Sequence, residues 1–69
     1  MNATQKLKVA MINMNINQLE LARRTNLSQP NLSRKMNHGA YTIEDYEKLV
    51  EALGCKLELN IILPDGTRV

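Results

Sequence analysis

Apolar positions recur at helical spacing through the first three-quarters of the chain, and then the period changes. Ala3, Leu7, Ala10, Met11 and Met14 fall three or four apart, which predicts a helix over about residues 3–13 with one buried face. Asn2 is placed to cap it, with Gln5 three residues later. The next three helix starts share one grammar. Ile16-Asn17-Leu21, Leu27-Ser28-Leu32 and Tyr41-Thr42-Tyr46 each set a capping side chain between two apolar residues that can clasp across the cap. Glu20 and Asp45 stand three residues after their caps, as capping-box acids do. Each cap is worth about 1 kcal/mol. Pro30 falls in the first turn of the third helix, where its missing N–H breaks no intrahelical bond. The fourth helix, about residues 43–53, is expected to bury Tyr46, Leu49, Val50 and Leu53 and to stop at Gly54.

From residue 56 the alternation is twofold. Leu57, Leu59, Ile61 and Leu63 face one way and Lys56, Glu58 and Asn60 the other, predicting a strand over 56–63 with one buried side. Pro64-Asp65-Gly66 signals a turn, and only Thr67, Arg68 and Val69 follow it. A lone strand leaves its backbone groups unpaired, so it invites antiparallel pairing with the same strand of a second copy. Leu57, Leu59, Ile61 and Leu63 are therefore the expected dimerisation residues. The alternative is a short hairpin within the chain, packed on the first and fourth helices of a monomer.

Composition adds limits. Sixty-nine residues make one domain near the lower size limit for a self-supporting core, and with two Tyr and no Phe or Trp that core must be aliphatic. The single cysteine, Cys55, allows no intrachain disulfide, fits a reducing cytoplasm and is expected to be a small buried apolar residue. No apolar run approaches the ~20 residues of a membrane span, and the N-terminus lacks a signal-peptide layout. A soluble, cytoplasmic protein is expected. A nucleophile–base pair, a metal cluster and a Gly-rich phosphate loop are all missing, so neither an enzyme nor a cofactor is expected. His38 reads as an exposed loop histidine, with no second ligand spaced to join it.

The net charge of +2 conceals a division. Residues 1–40 carry six basic side chains against Glu20 alone, a net of +5, and residues 41–69 carry three against six, a net of −3. A basic half points to phosphate as partner. That half contains residues 17–37, where Gln18 opens one short helix, small Ala22 follows four residues on, Asn26 occupies a turn, and a second helix begins at Ser28. This spacing suits a helix-turn-helix whose second helix lies in the DNA major groove.

Gln18, Leu21, Ala22, Leu27, Ser28, Leu32 and Gly39, with the Tyr46/Leu49/Leu53/Gly54 pattern, give residues 3–55 a clear family likeness. The chain resembles the phage repressor and Cro type of helix-turn-helix regulators, the XRE-like family. It departs from the family in three places. Asn26 stands where Gly is usual, although Asn tolerates a left-handed backbone. Asn37-His38-Gly39 is one residue longer than the usual end of the third helix, and the 56–63 strand replaces a fifth helix.

The fold expected is mainly α, a four-helix repressor-like domain over 1–55 followed by a dimerisation element over 56–69. On the third helix Gln29, Pro30, Asn31, Ser33 and Arg34 point outward as base contacts, while Leu32 and Met36 face inward. Gln and Asn suit the N6/N7 edge of adenine, Arg suits O6/N7 of guanine, and Pro30 offers only apolar contact. The resemblance itself implies base-reading roles for Gln29, Pro30 and Arg34 and backbone contacts for Asn17 and Gln18. Ser28, Lys35 and His38 complete the expected phosphate contacts. The function expected is a sequence-specific regulator, a repressor or autoregulator acting on double-stranded DNA as a homodimer. An antitoxin-type autoregulator and a protein-interaction module reusing the fold are the alternatives.

Overall fold

Helices form where the caps place them. A computed structural model describes all 69 residues, with α1 at Ala3–Met14, α2 at Gln18–Arg24, α3 at Gln29–His38 and α4 at Ile43–Ala52. Asn2, Asn17, Ser28 and Thr42 are the N-caps. Their side-chain oxygens accept the backbone N–H of Gln5, Glu20, Asn31 and Asp45 at 2.8, 2.8, 3.2 and 3.0 Å. Each cap thereby satisfies one of the free donors at a helix start.

Only the first capping box closes, with the Asn2 N–H donating to Gln5 Oε1 at 2.9 Å. Glu20 and Asp45, expected as capping-box acids, turn their carboxylates to Arg23, Arg24 and Lys35 instead. In these pairs both partners are charged, whereas a return bond to the cap N–H charges only the acceptor.

Left-handed residues make the corners. Asn15 (φ 55°) ends α1, Asn26 (φ 59°) makes the turn between α2 and α3, and Gly39 (φ 66°) ends α3. Asparagine in place of glycine at position 26 thus supports the turn, and the Leu27 N–H reaches back to the Ala22 carbonyl at 3.0 Å. The fourth helix ends one residue before the expected Leu53, which becomes its C-cap.

The core is wholly apolar and drawn from all four helices. Leu7 and Met11 come from α1, Leu21 and Ala22 from α2, Leu32 and Met36 from α3, and Leu49, Val50 and the capping Leu53 from the end of α4. The staple residues Ile16, Leu27, Tyr41 and Tyr46 pack at its margin, with the two tyrosine rings edge-on at 5.1 Å. Tyr46 is half-buried rather than buried, because its hydroxyl reaches the Ala3 carbonyl at the surface, 2.6 Å away. Two positions on the expected inner face of α1 differ. Ala3 is exposed, and Met14 is 44% exposed at the last turn, where its methyl lies beside Gly54 rather than under a helix.

The tail overturns the strand expectation. Residues 56–63 form no β-strand; the only pairing is a single antiparallel bridge between Ile62 and Arg68. Ile61 and Val69 exchange both backbone bonds at 2.8 and 2.9 Å, and the Leu63 N–H donates to the Thr67 carbonyl at 2.8 Å. The turn between them closes through the Gly66 N–H to the Leu63 carbonyl, and Asp65 Oδ1 accepts the Thr67 N–H.

The reason lies in the partner, not the pattern. A strand needs a ladder along its whole length, and three returning residues reach only 61–63, so 56–60 make no backbone hydrogen bond. The antiparallel pairing of two such strands therefore has no strand to rest on. The hairpin alternative holds only in part: the chain pairs with itself at 61–63 and 67–69, but every residue from 58 to 69 is exposed and the core takes none of them. Leu57 alone of the four expected dimerisation residues lies against the core; Leu59, Ile61 and Leu63 stand in solvent with Ile62. The radius of gyration of 13.3 Å, against about 11 Å for a compact chain of this length, reflects that projecting tail.

Candidate nucleic-acid interface

Leu21 and Ala22 of α2 meet Leu32 and Met36 of α3 in the core, and the small side chain at 22 lets the two helices approach. The bond from Leu27 to Ala22 across the Asn26 turn sets the angle between them. With Leu32 and Met36 buried, α3 turns its other side outward. Gln29, Pro30, Asn31, Arg34, Asn37 and His38 are exposed, and Ser33 and Lys35 are half-buried on the flanks. Gln29, Pro30, Asn31 and Arg34 thus share one open face, with Ser33 at its edge.

Two shallow concavities border this face. One is lined by Gln18, Gln29, Pro30 and Ser33, joining the start of α2 to the start of α3. The other holds Asn31, Arg34, Lys35 and His38 with Leu27 and Ala40. The guanidinium of Arg34 has no ion-pair partner within the protein.

Of the remaining expected contact residues, all but His38 have prior engagements. Asn17 and Ser28 use their oxygens as caps, which leaves the Asn17 amide N–H groups and the Ser28 hydroxyl proton free to donate. Gln18 directs Nε2 to Met36 Sδ at 3.2 Å, a weak acceptor, which holds it between the two helices. Lys35 is drawn toward α4, its Nζ 3.0 Å from Asp45 Oδ2, and that ammonium holds the Asp45 carboxyl below the usual range. His38 stands exposed in the last turn of α3.

The basic half is less free than its net charge suggests. Glu20 takes Arg23 through two bonds (2.8 and 2.6 Å) and Arg24 through one (2.7 Å). Those arginines, Arg23 foremost, hold the Glu20 carboxyl down to about 2. Arg24 also donates to the Ala52 carbonyl at 3.0 Å, tying α2 to the end of α4.

Two residues outside the expected set belong to this site's architecture. Asn37 is exposed three residues after Arg34 and seven after Pro30, on the same stripe of α3. Helical spacing alone could have placed it there. Thr4 could not have been found that way. Its hydroxyl donates to the Met36 carbonyl at 3.0 Å across 32 residues of sequence. With that proton committed, the Tyr41 hydroxyl donates in turn to Thr4 Oγ1 at 2.6 Å. The start of α1 and the loop after α3 are thereby fastened to α3.

A short helix, a tight turn and a second helix with an open face of amides and a guanidinium make a DNA-binding helix-turn-helix domain. The family model of the Cro/C1-type HTH DNA-binding domain matches residues 6–59, and the chain belongs to that family. Comparison with curated proteins and with solved structures yields no significant match. No helix is long and apolar enough to cross a membrane.

Proposed function

We propose that this protein is a transcriptional regulator, a repressor or autoregulator, that binds a pseudo-palindromic operator as a homodimer with α3 in the major groove. The observation that carries this reading is the open face of α3, where Gln29, Asn31 and Arg34 are exposed beside the N-termini of α2 and α3. In it Gln29, Asn31 and Arg34 read base edges, Pro30 makes apolar contact, and Ser33 contributes from the flank. Asn17, Gln18, Ser28 and His38 hold phosphate, aided by the free N–H groups of the helix starts.

Ten residues of helix span about 15 Å, enough for one half-site, so an operator read with useful specificity needs two copies. The exposed Leu59, Ile61 and Leu63, with Leu57 at their base, support self-association without a continuous strand. A bound dimer represses by occupying its site, and the proposed setting is bacterial or phage DNA in the cytoplasm.

Selection of bound sequences from a random duplex pool, followed by gel shift, tests the reading. The expected product is a pseudo-palindrome with half-sites about 34 Å apart. A pool that enriches no sequence rejects it. Sedimentation of Ile61→Lys tests the dimer separately, since an unchanged dimer excludes the tail as its interface.

A further inference from the structure

We propose that Asp45 competes with DNA phosphate for Lys35 and so holds down affinity for duplex DNA of arbitrary sequence. The inference rests on the DNA-binding reading above. Lys35 occupies a double position. It lines the concavity that contains Asn31, Arg34 and His38, and it also lines a neighbouring one with Thr25, Leu27, Asp45, Lys48 and Leu49. Its side chain thus borders both the exposed side of α3 and α4. In the free protein the ammonium lies on the α4 side, 3.0 Å from Asp45 Oδ2.

Neither partner is locked in place. The side chains are 34% and 40% exposed, so solvent and salt weaken the pair and a competing anion can reach it. Asp45 is also able to release Lys35 without becoming an isolated charge. It sits in the first turn of α4, where the helix dipole favours an anion, its backbone N–H is bonded to Thr42, and Lys48 borders the same concavity. Glu20 pairs with Arg23 and Arg24 in a similar way, but Arg24 is directed to the Ala52 carbonyl rather than to the exposed face of α3. Of the paired cations, Lys35 is the one that lines a concavity bordering the exposed face of α3.

Each cation that neutralises a phosphate steepens the salt dependence of binding by about 0.9 in log–log slope. A Lys35 held by Asp45 adds nothing to that slope on DNA of arbitrary sequence. In the Asp45→Asn variant Lys35 is released to phosphate. The cap survives, because Thr42 accepts the backbone N–H of residue 45 whatever its side chain.

The test is a double-mutant cycle on a random-sequence duplex, with wild type, Asp45→Asn, Lys35→Ala and the double variant titrated between 50 and 200 mM salt. The expected result is a slope steeper by about 0.9 for Asp45→Asn, so that its affinity advantage over wild type is about 3.5-fold larger at 50 mM than at 200 mM salt. Lys35→Ala should leave the wild-type slope unchanged, and the double variant should return to it. An unchanged slope in Asp45→Asn overturns the proposal, as does an equal steepening when Lys35 is absent. Circular dichroism melts of the four proteins establish that they are folded. If all four are folded and none binds duplex DNA, the DNA reading fails and the proposal with it; binding with a flat cycle removes the proposal alone.

Discussion

Replacing Arg34 by alanine separates recognition from folding. Arg34 is exposed on α3 and its guanidinium has no ion-pair partner, so its loss should move stability by no more than about 0.5 kcal/mol. A bidentate contact to guanine is worth about 1–3 kcal/mol, which corresponds to a loss of about 5- to 160-fold in affinity for the selected operator at fixed salt. Fluorescence anisotropy gives the affinity, and repeating the selection with the variant should relax preference at one position in each half-site.

Arg34→Lys refines the result, since it keeps the charge but not the planar fork; it should keep the salt slope and lose the base preference. Arg24→Ala is the opposite control. Arg24 bonds Glu20 and the Ala52 carbonyl, so its removal should affect the melt and not the selected sequence. The major-groove assignment of α3 is refuted if Arg34→Ala binds the operator as tightly as wild type. A uniform loss across all sequences, with a slope shallower by about one, would instead put Arg34 on phosphate.

Three further outcomes follow from the fold. Leu32→Ala, at a fully buried position between α2 and α3, should lose about 2–5 kcal/mol in urea unfolding, enough to bring so small a domain near collapse. Glu20, held at about 2 against an ordinary 4.5 by Arg23 and then Arg24, favours the folded state fully above about 4.5. That contribution should disappear as pH falls toward 2; Glu20→Gln should flatten the urea midpoint over this window, and an unchanged profile would deny the pairing. Ile61→Pro removes the N–H that donates to Val69, so amide protection at Leu63 and Val69 should be lost while the helical melt stays in place. A lowered melting temperature would show that the tail supports the core.

The parts of this fold legible in the sequence are those decided within a few residues. Asn17, Ser28 and Thr42 announce their helices because a capping oxygen and the N–H that donates to it lie within one turn, and Leu21, Leu32 and Leu49 announce the core by their phase. Met14 shares that phase and is exposed nonetheless, because which turn of α1 has a helix opposite it depends on the tertiary arrangement. The 56–63 alternation fails for a related reason. It specifies two faces, but a strand also requires a partner ladder, and residues 67–69 supply too little of one. At the site, the exposure of Gln29, Pro30, Asn31 and Arg34 follows from the burial of Leu32 and Met36 on the same helix. The bond from Thr4 to Met36 spans 32 residues, and no local signal carries it.

Charge is where the one-dimensional reading and the folded protein differ most in consequence. A net of +5 over residues 1–40 suggests a strong, general attraction to phosphate. Three of the six cations responsible are paired in the fold, Arg23 and Arg24 with Glu20 and Lys35 with Asp45. Lys6, Lys8 and Arg34 remain without an ion-pair partner, and of these only Arg34 lies on α3. A domain that holds its cations on its own carboxylates gains less from counterion release on arbitrary DNA. It then depends more on base-edge contacts to remain bound, which is the balance a site-specific regulator needs against an excess of competing sequence. Glu20 and Asp45, three residues after their caps, thus hold half of the six cations that the basic half contributes.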